Sequence, residues 1–184
     1  REFLVDVFQR FKNHELLGNY IPSNIRPLAG RKILEKSFFN YGEDDDAKIA
    51  TKALCQYYEK FGYGIMADFV AFNWDGERER LTGINNYSDM TFEKIYGYER
   101  QKQELIKNTE AFLNNKPANN ILLFGDRGTG KSSSIKAIGN HFYEDGLRMV
   151  QVSRDHFVQL PKVMQELSKW GKKFVIVLDD LSFE

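Results

Sequence analysis

The 184-residue chain has little cysteine, proline or histidine and no surplus of either charge. Its one cysteine, Cys55, cannot form an internal disulfide and falls in an apolar helical stripe, so its expected role is packing. His14, His141 and His156 are scattered without metal-ligand spacing and are expected to be structural or solvated. With 26 basic and 26 acidic residues, zero formal net charge gives no electrostatic argument for a nucleic-acid partner. No apolar run approaches the length of a membrane span, and the N-terminus lacks a signal-peptide pattern. No Ser-His-Asp or Cys-His arrangement can be argued from the order of residues. At 42% hydrophobic and 28% charged residues, the composition fits a cytoplasmic globular protein without a membrane partner.

Against these absences stands one dense motif. Ile121, Leu122, Leu123 and Phe124 form an apolar run that reads as a strand, and it leads into Gly125-Asp126-Arg127-Gly128-Thr129-Gly130-Lys131-Ser132. That spacing, Gly-x-x-x-x-Gly-Lys-Ser, is a complete phosphate-binding loop. Its glycines let the backbone curl so that successive N–H groups face one anion. A helix predicted to begin near Lys131 would set its positive dipole end against a β-phosphate. Lys131 can reach the β- and γ-phosphates, and the Ser132 hydroxyl, followed by Ser133, is placed to ligate magnesium. Ile135, Ile138 and Phe142 then recur at helical spacing, which supplies the strand-loop-helix order that a chance glycine-rich turn would lack. The expected ligand is a nucleoside triphosphate, ATP, with Mg²⁺. Arg127 sits inside the loop with its side chain expected toward solvent.

A second apolar run, Phe174-Val175-Ile176-Val177-Leu178, ends abruptly in Asp179-Asp180. A continuous run suits a strand buried on both faces, and carboxylates at its C-terminal end fall where ligands bind in open α/β sheets. In a phosphate-loop protein, Asp179 would organise Mg²⁺ opposite Ser132, and Asp180 could polarise the attacking water. The bland alternative is that the pair caps the next turn.

Along the rest of the chain, Leu4, Val7, Phe8 and Phe11 follow helical spacing, as do Ala50, Ala53, Leu54, Tyr57 and Phe61 approximately. The acidic run Glu43, Asp44, Asp45, Asp46 reads as the start of the second helix, capping it and pairing with its dipole. Ile33-Leu34 and the Ile65, Met66, Phe69, Val70 segment predict shorter helices. Gly76, Gly83, Asn85, Asn86 and Ser88 read as a linker near residues 77–90. The spacing of Leu105, Ile106, Thr109, Phe112 and Leu113 predicts a helix over residues 99–114, ended by Lys116-Pro117. A strand over 147–152 and a helix from Asp155, restarted at Pro161 with Leu160, Val163, Met164 and Leu167 buried, precede the second apolar run. This alternation predicts an α/β fold, a parallel sheet with helices on both faces. The expected division is a helical N-terminal region, residues 1–87, and a phosphate-loop domain, residues 88–184. The chain starts at Arg1 and stops soon after Asp180, and both ends are expected to be cuts in a longer protein.

Taken together, GDRGTGKSS, the preceding GYERQKQELIKNTEAFLNNKPANNILLF and the closing VLDDLSFE resemble an uncharacterised bacterial family of AAA+ P-loop ATP-binding proteins, one of the domains of unknown function. The resemblance is strong over about residues 91–184 and looser before them. It implies an AAA+-like P-loop NTPase domain, incomplete at its C-terminus. It also implies that Gly97-Tyr98-Glu99 lies beside the adenine, so that the backbone around Tyr96 and Tyr98 touches the base, unless Gly97 is a plain helix-entry turn. Asp180 stands where AAA+ proteins usually carry glutamate, and Glu184 is a possible substitute as base. In the AAA+ arrangement the next strand inserts between the two apolar runs. A chain ending at Glu184 would then leave a gap beside residues 121–124, lack the sensor and arginine residues, and bind ATP with little hydrolysis.

The reading is an ATPase module that couples Mg-ATP binding and hydrolysis to conformational change in a protein partner or a homo-oligomer. Lys131 and Asp180 are its catalytic candidates. Two alternatives stay open: a P-loop kinase or other phosphotransferase, and a nucleotide-binding interaction module with little hydrolysis.

Overall fold

The structure, a computed structural model, describes Tyr58 and residues 60–178. The helical stripes expected around Leu4 and Leu54, with Ile33-Leu34, Cys55 and the acidic run at residues 43–46, lie outside the described residues. So do Asp179, Asp180 and Glu184. Contacts divide the chain into a unit ending at Phe69 and another beginning at Val70. Within the first unit, Ile65–Asp68 forms a four-residue helix (α1) with Met66 and Ala67 buried.

The second unit is built on a four-stranded sheet. Strands β1 (Ala71–Asp75) and β2 (Arg80–Gly83) form an antiparallel hairpin with Asp75 opposite Arg80. Its turn is closed by Asp75, whose Oδ1 accepts from the Arg78 N–H at 3.1 Å. The stretch read as a linker therefore contains a strand. Glycine and asparagine mark chain reversal, and a reversal inside a hairpin has the composition of a linker.

Strand β3 (Leu147–Val152) runs parallel to β1, with Ala71 beside Met149, and parallel to β4 (Lys173–Leu178) along its whole length. The order is β2-β1-β3-β4. Parallel neighbours need a crossover. For β3 and β4 it is a 3-10 turn, Arg154–Gln159, running into helix α4 (Leu160–Leu167) with Pro161 in its first turn. Val163 and Leu167 of α4 are buried as expected, while Met164 is 62% exposed.

Central position explains the burial of β3, where Leu147, Met149, Val150 and Val152 are all 2% exposed or less. Arg148 is buried with them, its guanidinium donating to the carbonyls of Tyr143 and Leu147 and stacking 4.0 Å from the Tyr143 ring centre. Such pairing offsets the cost of taking its charge from water.

Helix α2 (Glu99–Leu113) precedes the phosphate-loop motif, and α3 (Lys131–His141) follows it. Helix α2 stops where the chain turns left-handed at Asn115, φ +56. There the Asn115 and Lys116 N–H groups bond back to Phe112 and Ala111, satisfying carbonyls at the helix end. Helix α3 packs on the Met149 side of the sheet, since a β-carbon on Gly139 would fall 2.7 Å from Met149 Cγ. Trp74 points to the opposite side, its Nε1 donating to Gln159 Oε1 at 2.8 Å.

Two expectations about the apolar runs are corrected. Residues 121–124 do not join the sheet, and Ile121, Leu122 and Phe124 are 46%, 59% and 87% exposed. Strand β4 is half-buried along its length, not enclosed on both faces, and it forms one edge of the described sheet. Apolar composition gives a segment strand character, but a strand forms only where a neighbour supplies backbone partners.

Candidate nucleotide site

The phosphate-loop motif folds around three glycines that no other residue replaces without strain. Gly125, Gly128 and Gly130 have φ of +139°, +84° and +87°. Gly130 is the residue from which α3 starts, with no side chain capping that end. The first N–H groups of α3 are thus left for another acceptor, the property that makes a helix N-terminus an anion site when a glycine loop precedes it.

Lys131 folds back over the loop. Its Nζ donates to the carbonyl oxygens of Gly125 and Asp126, both at 2.7 Å. The Thr129 hydroxyl donates to the same Asp126 carbonyl at 2.8 Å, and Ser134 Oγ donates to the Gly130 carbonyl at 2.9 Å. The ammonium is held by neutral carbonyls, so an anion entering the loop would offer it a stronger acceptor.

Beside the loop opens a cleft of about 830 Å³, large enough for a nucleotide. Tyr98, Lys102, Leu105 and Asn108 of the α2 segment form one wall, and residues 119–124 form another. Of the sequence-derived site residues, Tyr98, Gly125, Asp126, Thr129 and Lys131 line this cleft. Arg127, Gly128 and Gly130 of the loop, and Ser132, exposed, and Ser133 in the first turn of α3, do not line it. Tyr98 adopts a left-handed conformation, φ +59, directly after Gly97 at φ +73. Among the described residues no group of three or more His, Cys, Asp or Glu side chains could hold a metal ion.

Three cleft residues escaped the sequence reading. Lys102 is 7% exposed although its type marks it for the surface. Asn108 and Asn119 hydrogen-bond across the helix end, and their separation of eleven residues follows no local period.

Over 118 residues the chain is 27% identical to Proteasome-activating nucleotidase 1 of Haloferax volcanii, an alignment covering 56% of this chain and 29% of that protein. The chain therefore spans under a third of that relative's length. No solved structure matches it. No helix among the described residues is long and apolar enough to cross a membrane. Residues 67–184, more than half of the chain, match the family described as "Protein of unknown function (DUF815)", and the chain belongs to that family.

Proposed function

We propose that residues 88–184 form part of an AAA+-like ATPase domain that binds Mg-ATP in the cleft beside Lys131. The observation that carries this reading is the meeting of Gly125 with Lys131, the first residue of α3, in the lining of an 830 Å³ cleft, on a loop whose other two glycines are also left-handed. The named relative, a nucleotidase, supports the same ligand class.

In this reading Lys131 leaves the Gly125 and Asp126 carbonyls for the β- and γ-phosphate oxygens. The N–H groups at the start of α3 hold the β-phosphate. Tyr98 and the backbone around it border the base. Ser132 and Asp179 would hold the metal, and Mg²⁺ when bound neutralises charge developing on the phosphate oxygens. Asp180, or Glu184 in its place, orients the attacking water and accepts its proton.

The sheet supports an AAA+ arrangement as well. Lys173, which opens β4, hydrogen-bonds Asn115 Oδ1 and lies 5.2 Å from the Phe112 ring centre. The end of α2 therefore lies beside the start of β4, and in this reading a further strand pairs both apolar runs. Hydrolysis would then drive conformational change in a partner or an oligomer.

Turnover assays on the whole protein, with and without phosphate acceptors, test this reading. Phosphate release from Mg-ATP without an acceptor is the expected result. Transfer to an acceptor would instead make the protein a phosphotransferase, and tight binding without turnover an interaction module.

A further inference from the structure

Lys102 sits where a lysine is costly. It is 7% exposed, and its Nζ donates to the carbonyl oxygen of Ile95 and to Glu99 Oε1 at 2.9 Å. An aliphatic side chain would pack there without desolvating an ammonium. The two acceptors show what the charge is used for.

Ile95 and Lys102 bracket the turn that enters α2. Between them Gly97 and Tyr98 are both left-handed, and Tyr98 as a non-glycine residue is held there at a cost of about 1 kcal/mol. The turn has no side-chain cap of its own. The Lys102 bond to Ile95 closes it from the helix side, and the Tyr98 carbonyl accepts from the Lys102 N–H at 2.9 Å.

Ile95 in turn faces the phosphate loop. It is buried, and a β-carbon on Gly130 would lie 3.7 Å from its Cγ2. Tyr98 and Lys102 line the main cleft. Tyr96, Gly97 and Ile95 line a smaller depression of about 350 Å³ that Lys102 also borders. Lys102 therefore borders both the turn and the cleft, and its ammonium is tied to a residue that faces the last glycine of the loop.

The geometry points to Lys102 as a positioning residue that sets base selectivity, holding the 95–98 turn at a fixed offset from Gly130; this rests on the nucleotide reading above. The phosphate end of the site has its own determinants in Lys131 and the three glycines. Loss of Lys102 frees the base end more than the phosphate end, where Lys131 and the glycines remain.

The test compares Kd for Mg-ATP, Mg-GTP and inorganic tripolyphosphate in the wild-type protein, Lys102→Met and Glu99→Gln. In Lys102→Met the preference for ATP over GTP should fall by about tenfold, with a smaller loss of tripolyphosphate affinity, about threefold, from removing one charge at the cleft wall. Glu99→Gln, whose side chain is 76% exposed, should shift the preference in the same direction by about two- to threefold. Wild-type protein without an ATP preference, an unchanged preference in folded Lys102→Met, or an equal loss for all three ligands would overturn the proposal. If Lys102→Met does not fold, an unchanged preference in Glu99→Gln overturns it. Wild-type protein that binds neither ATP nor tripolyphosphate removes the nucleotide reading itself, a result distinct from these.

Discussion

Asn108 grips the backbone of Asn119 from both sides: its Oδ1 accepts from the Asn119 N–H at 2.9 Å and its Nδ2 donates to the Asn119 carbonyl at 2.9 Å. The carboxamide thereby acts as a short piece of strand edge for Asn119, two residues before the apolar run that leads into the phosphate loop. Asn108→Ala should lower stability by about 1 kcal/mol, since both bonds are solvent-accessible, and weaken nucleotide affinity severalfold. Thermal melts and ATP titration check this. Unchanged values in both would show that the clamp does not position the loop.

Tyr87 and Gly139 make a second close relationship. The Tyr87 hydroxyl is buried without a hydrogen-bond partner among the described residues, and burial pushes its pKa well up. A β-carbon on Gly139 would fall 2.7 Å from that oxygen and 2.7 Å from Met149 Cγ. Gly139→Ala should cost about 1–3 kcal/mol by overpacking. Tyr87→Phe should be neutral or stabilising by up to about 1 kcal/mol, because it removes a polar group that nothing satisfies. Combined, the two should cost less than their sum. A chemical denaturation series decides it, and a strongly destabilised Tyr87→Phe would contradict the account.

Exposure separates the two aromatic residues Phe72 and Phe124. Phe72 is fully buried on β1 and Phe124 is 87% exposed. In the 184-residue chain, Phe72→Ala should cost about 3–5 kcal/mol and Phe124→Ser less than about 0.5 kcal/mol. Comparable losses would mean that residues 121–124 are packed into the sheet.

How much of this was legible before folding differs by element. The bounds of α2 and the start of α3 follow from helical spacing and the loop glycines, and the strand over 147–152 follows from alternation, all of them local signals. Pro161 marked the restart of the crossover helix for the same reason. The hairpin at Ala71–Asp75 and Arg80–Gly83 was missed because its strands are short and its turn composition matches a linker. The exposed state of residues 121–124 was not legible in their composition, since pairing is a property of neighbours. In the site, Gly125, Thr129 and Lys131 were readable from spacing, whereas Lys102 and Asn108 act through contacts that no period encodes.

Asp179 and Asp180 should separate in their metal dependence. If Asp179 organises Mg²⁺ and Asp180 orients water, Asp179→Asn weakens the magnesium dependence of nucleotide binding more than Asp180→Asn does. Titration with ATP at several Mg²⁺ concentrations measures both. The reverse order would exchange their roles.

The central claim is that the cleft beside Lys131 binds a nucleoside triphosphate through its phosphates. Isothermal titration of Mg-ATP into wild-type protein and Lys131→Ala tests it most directly. The account predicts saturable binding that is lost in the variant while its melting temperature is kept, because among the described residues the Lys131 ammonium bonds to loop carbonyls and not to the core. Equal affinity in the two proteins, or no binding in either, would contradict it.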